Sequence, residues 1–339
     1  MSGSTQVGSS ASSTAKAEPS IAPSSGSGAK GSRSTCWATS SRAEVAADRP
    51  VDGSTGAPAR AVQQTKDVDP TDDLLSANLR NWDERVPIHT RSRFYDVEHW
   101  LQTRPGPRVR EIEAIGDVAG LDLVHLQCHF GLDTLAWADA GARVTGLDFS
   151  PAAIAAAQAL AARAGLAGRA SFVCASVYDA ARALAPETFD VVYVSLGALC
   201  WLPSVGRWAD QVAALARPGG RLYLHDGHPM AWSLASDSLA LEYSYFEEPT
   251  PYVDDSEDTY TDSDAPLANA RSYEWNHGIG EVVSALIDRG FRIDRLTEHD
   301  WTVHQQFPWL VETVAHHWSA PAGQPRIPLS YTVVATRTP

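Results

Sequence analysis

Cysteine is scarce: the 339 residues hold four, Cys36, Cys128, Cys174 and Cys200, with no C-x-x-C spacing among them. That pattern does not match known zinc sites or a disulfide framework, and it suits a reducing compartment. No metal is expected. No stretch approaches the ~18 consecutive apolar residues of a membrane span, and there is no signal-peptide core. A soluble, cytoplasmic protein without a membrane partner is the expectation. Clustered bases are missing too. Residues 1–71 hold seven Lys/Arg and six Asp/Glu, a balance of +1, so of the net charge of −14 the remainder carries −15. Phosphate backbones need clustered bases, so nucleic acid is not expected as a partner and small molecules are favoured. A G-x-G-x-x-G fingerprint is also absent, which argues against a nicotinamide-dependent oxidoreductase.

What is present falls into two textures. Fifteen serines lie within the first 54 positions, mixed with Gly, Ala, Thr and Pro and without apolar periodicity. Ordering such a segment costs about 1–2 kcal/mol per residue with nothing to bury, so residues 1–71 are expected to form a disordered low-complexity tail. Up to Glu44 it has a single acid, Glu18, as transit peptides do, but no amphipathic arginine-bearing helix. From Asp72 the texture changes to helical spacing at Leu74, Leu75, Leu79 and Trp82, broken at Pro87. With 44% hydrophobic content overall, residues 72–339 can bury a core as one domain.

Apolar runs of strand length at 123–128, 143–148, 170–174, 189–195 and 221–225 alternate with helical patterns. That alternation predicts a series of βα units on a largely parallel sheet. A helix is expected at 110–115, another after Gly131 with Asp133 or Thr134 as N-cap, and a third over 152–164 opened by Ser150-Pro151. A helix at 278–289 and strands at 291–298 and 329–336 complete the chain.

The organising stretch is LVHLQCHFGLDTLAWADAGARVTGLD, from Leu123 to Asp148. A strand reaches a tight bend at Gly131, a helix follows, and a second strand ends in a carboxylate. In open α/β sheets ligands lie outside the carboxyl ends of the strands, where Asp148 is placed to take two ribose hydroxyls. Together with GLDFSPAAIAAA, FDVVYVSLGALCWLP and LARPGGRLYL, this stretch resembles the class I S-adenosylmethionine-dependent methyltransferases, in an HLQCH-variant subgroup of small-molecule type. The usual first motif there is D-x-G-x-G-x-G. Here the matching positions are His125, Gln127, His129 and Gly131, so only the last glycine is kept.

The resemblance implies a seven-stranded Rossmann-like α/β sheet with helices on both faces and the last strand antiparallel. It implies S-adenosyl-L-methionine as cofactor, held by Gln127, Cys128, His129, Gly131, Asp148, Phe149, Ser176, Val177, Ser195 and Leu196. The family often has an acid where Ser176 stands. Helices ahead of the sheet lie over the cofactor in this family, which makes Tyr95 a lid residue and gives Trp82 and His89 the same possible role; simple packing is the alternative for all three.

Methyl transfer from a sulfonium is an in-line displacement and needs positioning and water exclusion more than side-chain chemistry. For a hydroxyl acceptor a general base is useful, and His228, just beyond the fifth strand, is the catalytic candidate, with Asp226 as second choice. The segment 227–276 reads as an acidic flap insertion, with eight acids and no base from Glu247 to Asp264. A solvated flap and an acidic mouth for a cationic substrate are both open readings. Trp301, His304, Phe307 and Trp309 form an aromatic loop that either caps a substrate pocket or packs. The expected function is methyl transfer to a small molecule. A binding or regulatory protein of the same fold without turnover is the alternative, and an oxidoreductase the weaker third.

Overall fold

The computed structural model describes residues 70–263 and 266–339. Residues 1–69 of the expected tail lie outside these, and Pro70 and Thr71 open the first helix, α1 (Pro70–His89). Next come α2 (Val97–Thr103), α3 (Val109–Ile115), β1 (Asp122–Leu126), α4 (Leu132–Asp139), β2 (Arg143–Asp148), α5 (Pro151–Ala164) and β3 (Ala170–Cys174). They are followed by α6 (Ala180–Ala183), β4 (Phe189–Ser195), α7 (Val205–Leu215) and β5 (Ala216–Gly227). The insertion contains α8 (Pro229–Trp232) and a hairpin of β6 (Tyr252–Asp254) and β7 (Ser272–Glu274). Then come α9 (Ile279–Asp288), β8 (Phe291–His299), the short strands β9 (Trp301–Thr302), β10 (Val311–Val314) and β11 (His317–Ser319), and finally β12 (Ser330–Arg337).

Seven strands form one sheet in the order β3-β2-β1-β4-β5-β12-β8. Neighbours from β3 to β5 run parallel, and β12 runs antiparallel to both β5 and β8. The chain winds outward from β1 in one direction and restarts at β4 in the other, so the crevice opens at the carboxyl ends of β1 and β4.

Burial on both faces explains the apolar run of β4. Val192 and Val194 pack with Leu222 and Leu224 against α7 and α9, while Val191 and Tyr193 pack with Leu123 and Tyr223 against Ile115 of α3 and Trp137 of α4. Fully burying an aliphatic side chain of this kind contributes about 1.5–3 kcal/mol. α5 starts where Ser150 accepts the Ala153 N–H at 2.9 Å and Pro151 takes the first turn, and it stops at Gly165.

α4 departs from expectation at its start. Gly131 is the N-cap, with φ +75°, and neither Asp133 nor Thr134 caps the helix. The backbone leaves β1 through a left-handed bend, which places Asp133 and Thr134 inside the helix with their side chains directed to other partners. A side chain at Gly131 would also meet the Phe172 ring, 2.7 Å from where its Cβ would stand. The helix ends at Asp139, with Ala140 as its C-cap and the left-handed Gly141 directly after it.

The insertion is tied to α1. The Asn78 side chain bonds Tyr273 in both directions, its Nδ2 donating to the carbonyl at 2.8 Å and its Oδ1 accepting the N–H at 2.7 Å. Glu84 accepts the N–H groups of Ala268 and Asn269, each at 2.7 Å. These bonds fix the β6–β7 hairpin and its loop against α1. No helix among the described residues is long and apolar enough to cross a membrane.

Candidate active site

The bend after β1 keeps its backbone shape without its glycines. Gln127 and His129 have φ of +57° and +51°, and Gly131 follows at +75°. The three alternate residues that the motif reserves for glycine are thus all left-handed. For Gln127 and His129 that conformation costs roughly 1–2 kcal/mol each. Neighbouring hydrogen bonds hold them there: Gln127 Nε2 donates to the Ala198 carbonyl at 2.8 Å, and the His129 N–H donates to Asp148 Oδ2 at 2.8 Å.

The His129 ring extends the bend into the elements above it. Its Nε2 lies 3.0 Å from His89 Nδ1 at the end of α1, and His89 Nε2 lies 2.7 Å from Thr259 Oγ1 in the insertion. Burial lowers the His129 imidazole to about 3 and holds His89 well below its usual value, so both rings are neutral at pH 7. One line of hydrogen bonds therefore joins the motif bend, α1 and the insertion.

Asp148 closes β2 and is buried, with Oδ1 accepting the Ser150 N–H at 2.9 Å and Oδ2 the His129 N–H. Burial pushes its carboxyl up to about 6, against the pull of those backbone donors. A carboxylate has about four lone-pair sites, so two backbone bonds leave it able to accept from a pair of hydroxyls.

These groups face a cavity of about 970 Å³, near the upper end of small-molecule sites. Among its lining residues are Tyr95, Gln127, Cys128, His129, Asp148, Phe149, Ser176, Val177, Ser195 and Leu196. Trp82 and Trp201 line it as well. Gly131 does not; it is buried under Phe172 and serves the bend. His89 acts through His129. Of the aromatic loop, His304 lines the cavity, whereas Phe307 and Trp309 pack with Leu310 and Leu329 in a separate apolar cluster.

The two candidate bases are not at the cavity. His228 Nδ1 accepts the Met230 N–H at 3.0 Å as the N-cap of α8, and its Nε2 lies 2.8 Å from Glu298. Both ring nitrogens of His228 are thus occupied, one by a backbone donor and one by a carboxylate. Asp226 accepts N–H groups from Gly197, Ala198, Leu199 and Gly227, at 2.7 Å for the first and 2.9 Å for Leu199. It anchors the loop that leaves β4.

Sequence reasoning missed several lining residues: Arg108, Arg110, Tyr260, Gln306, His316 and His317. They are spread over 210 positions and carry no local signal. Arg108 Nη1 bridges Glu111 at 2.8 Å and Asp133 at 3.0 Å, and although burial works the other way, Arg108 holds the Asp133 carboxyl below its usual value. The Tyr95 hydroxyl bonds the Tyr260 hydroxyl, closing the cavity between α2 and the insertion.

The residues fit S-adenosylmethionine on an observation independent of motif. Gln127 Oε1 is a buried acceptor without a partner in the cavity lining, and it suits the ammonium of an amino-acid moiety, while Asp148 suits a diol.

Sheet order, bend and carboxylate together match the fold of the class I S-adenosylmethionine-dependent methyltransferases. Residues 124–224, from β1 into β5, match the family described as a methyltransferase domain. No curated protein matches the chain. Among solved structures, a methyltransferase from Mesorhizobium loti is 22% identical over 67% of this chain and 96% of its own, with a TM-score of 0.49. The CcbJ methyltransferase of Streptomyces caelestis is 13% identical over 77% and 98%, also at 0.49. A Methanosarcina mazei methyltransferase is 19% identical over 69% and 99%, at 0.46.

Proposed function

We propose that the protein transfers a methyl group from S-adenosylmethionine to a small-molecule acceptor bound in the same cavity. The observation that carries this reading is the continuity of one 970 Å³ cavity from Asp148 to the segment Thr302–His317. A volume near the top of the range for a single ligand leaves room for a second, smaller molecule. When bound, the cofactor supplies a methyl activated by the sulfonium.

The chain's own residues do the positioning. Asp148 and Phe149 hold the ribose, Ser176 and Val177 the adenine side, and Gln127, Cys128, His129, Ser195 and Leu196 the amino-acid part. Gly131 gives the bend its close approach to Phe172. Tyr95, bonded to Tyr260, and Trp82 keep water out. Burial lowers the His304 imidazole to about 4, so at pH 7 it is neutral and able to accept a hydrogen bond from an acceptor hydroxyl.

Calorimetric titration with S-adenosylmethionine and its demethylated product tests the reading. Micromolar binding that Asp148→Ala removes is the expected result, followed by label transfer from methyl-labelled cofactor to a small-molecule acceptor panel. Folded wild-type protein that binds neither form would end it.

A further inference from the structure

Arg110, in the cavity wall, has no carboxylate partner. Its Nε and Nη2 are buried without a hydrogen-bond partner, and among the described residues it forms no ion pair. Arg108, two residues earlier, bonds two carboxylates. Residues 70–339 contain no lysine, so arginine and protonated histidine are the possible side-chain cations there.

What surrounds Arg110 is aromatic and neutral. Its guanidinium carbon lies 4.6 Å from the Trp301 ring centroid, and Trp301 stacks on His317 at 4.2 Å and on His225 at 5.5 Å. Burial first, and Arg110 second, lower the imidazoles of His225 and His317. Asp300, adjoining Trp301, is paired with Arg326 at 2.6 Å. Gln306 adds a second unanswered donor: it is 2% exposed, lines the same cavity, and its Nε2 has no partner.

A partly buried guanidinium is costly to leave without a counter-charge, and cation–π contact with Trp301 stabilises it without neutralising it. Its place in the fold says which ligand supplies that charge. α3 packs over β5, and the stack around Arg110 draws on His225 of β5 and Trp301 just past β8. Asp148 is on β2, on the other side of β1 and β4. Arg110 thus stands beyond the cofactor residues, at the end of the cavity left for the acceptor.

We infer that Arg110 recognises an anionic acceptor: the methylated molecule carries a carboxylate or phosphate that seats on this guanidinium, with the Gln306 amide as a further donor. This rests on the methyltransferase reading above. Arginine's planar fork matches either oxyanion in a bidentate way, and charge-assisted bonds of this kind are the stronger ones.

The test is calorimetry on the full chain saturated with S-adenosylhomocysteine, with benzoate, phenyl phosphate and the neutral benzamide as probes. At least one anion is expected to bind about ten- to a hundredfold more tightly than benzamide. Arg110→Met should erase that preference while changing S-adenosylhomocysteine affinity by less than about twofold. Arg110→Lys, which keeps the charge, should retain part of the preference and serves if the methionine variant does not fold. Equal binding of anions and benzamide, or no binding of any probe, would overturn the inference. So would an equal loss of S-adenosylhomocysteine in Arg110→Met, since Arg110 would then hold the cofactor's own carboxylate. Failure of wild type to bind S-adenosylhomocysteine is a different result, and overturns the methyltransferase reading instead.

Discussion

The insertion and the cavity wall treat charge in opposite ways. From Glu247 to Asp262 the insertion carries seven acids, yet its contribution to the cavity lining in that span is Tyr260. Several of those acids have local partners. Asp255 pairs with Arg271 at 2.7 Å, Asp262 with Arg93 at 3.5 Å, and Glu247 with His277 at 2.8 Å. Although burial opposes it, hydrogen bonds to Glu247 and Glu281 raise the His277 imidazole to about 9, so the ring is a cation fixed against the insertion. The cavity wall has no comparable run in sequence, and it gathers Arg108, Arg110, His304, His316 and His317 from distant segments. Charge density along the chain therefore says little here about the field a ligand meets. The reading of the insertion as a mouth for a cation loses its basis, since its described acids do not face the cavity.

The sharpest contrast is between Asp148, one of four aspartates lining the cavity, and the seven insertion acids that do not line it. Asp148→Ala is expected to weaken S-adenosylhomocysteine binding about a hundredfold, the value of two charge-assisted hydrogen bonds, while the fold survives. Isothermal calorimetry together with a melting curve separates the two effects. A loss below about threefold would remove Asp148 from the site and weaken the contrast.

A pH titration sharpens the same point. In the folded chain burial holds the Asp148 carboxyl at about 6, above the ordinary aspartate value of 3.8. Between those values the folded state binds more protons than the unfolded state, so this group's contribution to stability falls as pH rises through the window. Ligand binding runs the other way, because hydroxyls donate to the ionised form. At pH 5 only about a tenth is ionised, so affinity should be about tenfold weaker than at pH 7.5, and flat across that range in Asp148→Asn.

Local pattern was enough for most of the fold. β2, β3 and β4 fall on the residues that their apolar runs mark, and α5 begins at the Ser150-Pro151 signal, because strand burial and capping are short-range rules. The site was only partly legible. Asp148 and the bend are local features of one βαβ unit. His228 looked well placed in sequence, but nothing there indicates that α8 would take its Nδ1 as a cap. Arg110 and Gln306 lie 196 positions apart and enter one cavity only because α3 packs over β5 and the segment after β8 folds back. The missing glycines gave no warning that the left-handed bend would be kept, since that depends on Ala198 and Asp148 holding it from outside.

That bend allows a finer comparison between backbone and side chain at one position. His129→Gly and His129→Ala both remove the imidazole and its bond to His89, but only alanine must hold φ near +51° with a Cβ. Glycine relieves that strain and costs more entropy in the unfolded chain, leaving the glycine variant about 1 kcal/mol the more stable. Denaturant midpoints at equal m-values read the difference. Alanine as stable as glycine would mean that the bend relaxes out of the left-handed region once His89 no longer holds it.

The smallest expected effect bears on the other half of the comparison. Glu248, Glu257 and Asp258 are exposed acids of the insertion, outside the cavity lining. Neutralising all three as Gln, Gln and Asn removes three negative charges from the insertion, yet at 0.15 M salt the Debye length is about 8 Å and exposed charges act over little more than that. Stability should change by no more than about 0.5 kcal/mol per site, and the affinities for S-adenosylhomocysteine and for benzoate by less than about twofold. A tighter hold on benzoate in the triple variant at 10 mM salt that vanishes at 150 mM would show the insertion acting as a long-range repulsive field, a weak version of the influence its composition suggests. Tighter benzoate binding that persists at 150 mM salt would place these acids beside the acceptor, and the separation drawn between insertion and cavity wall would fail.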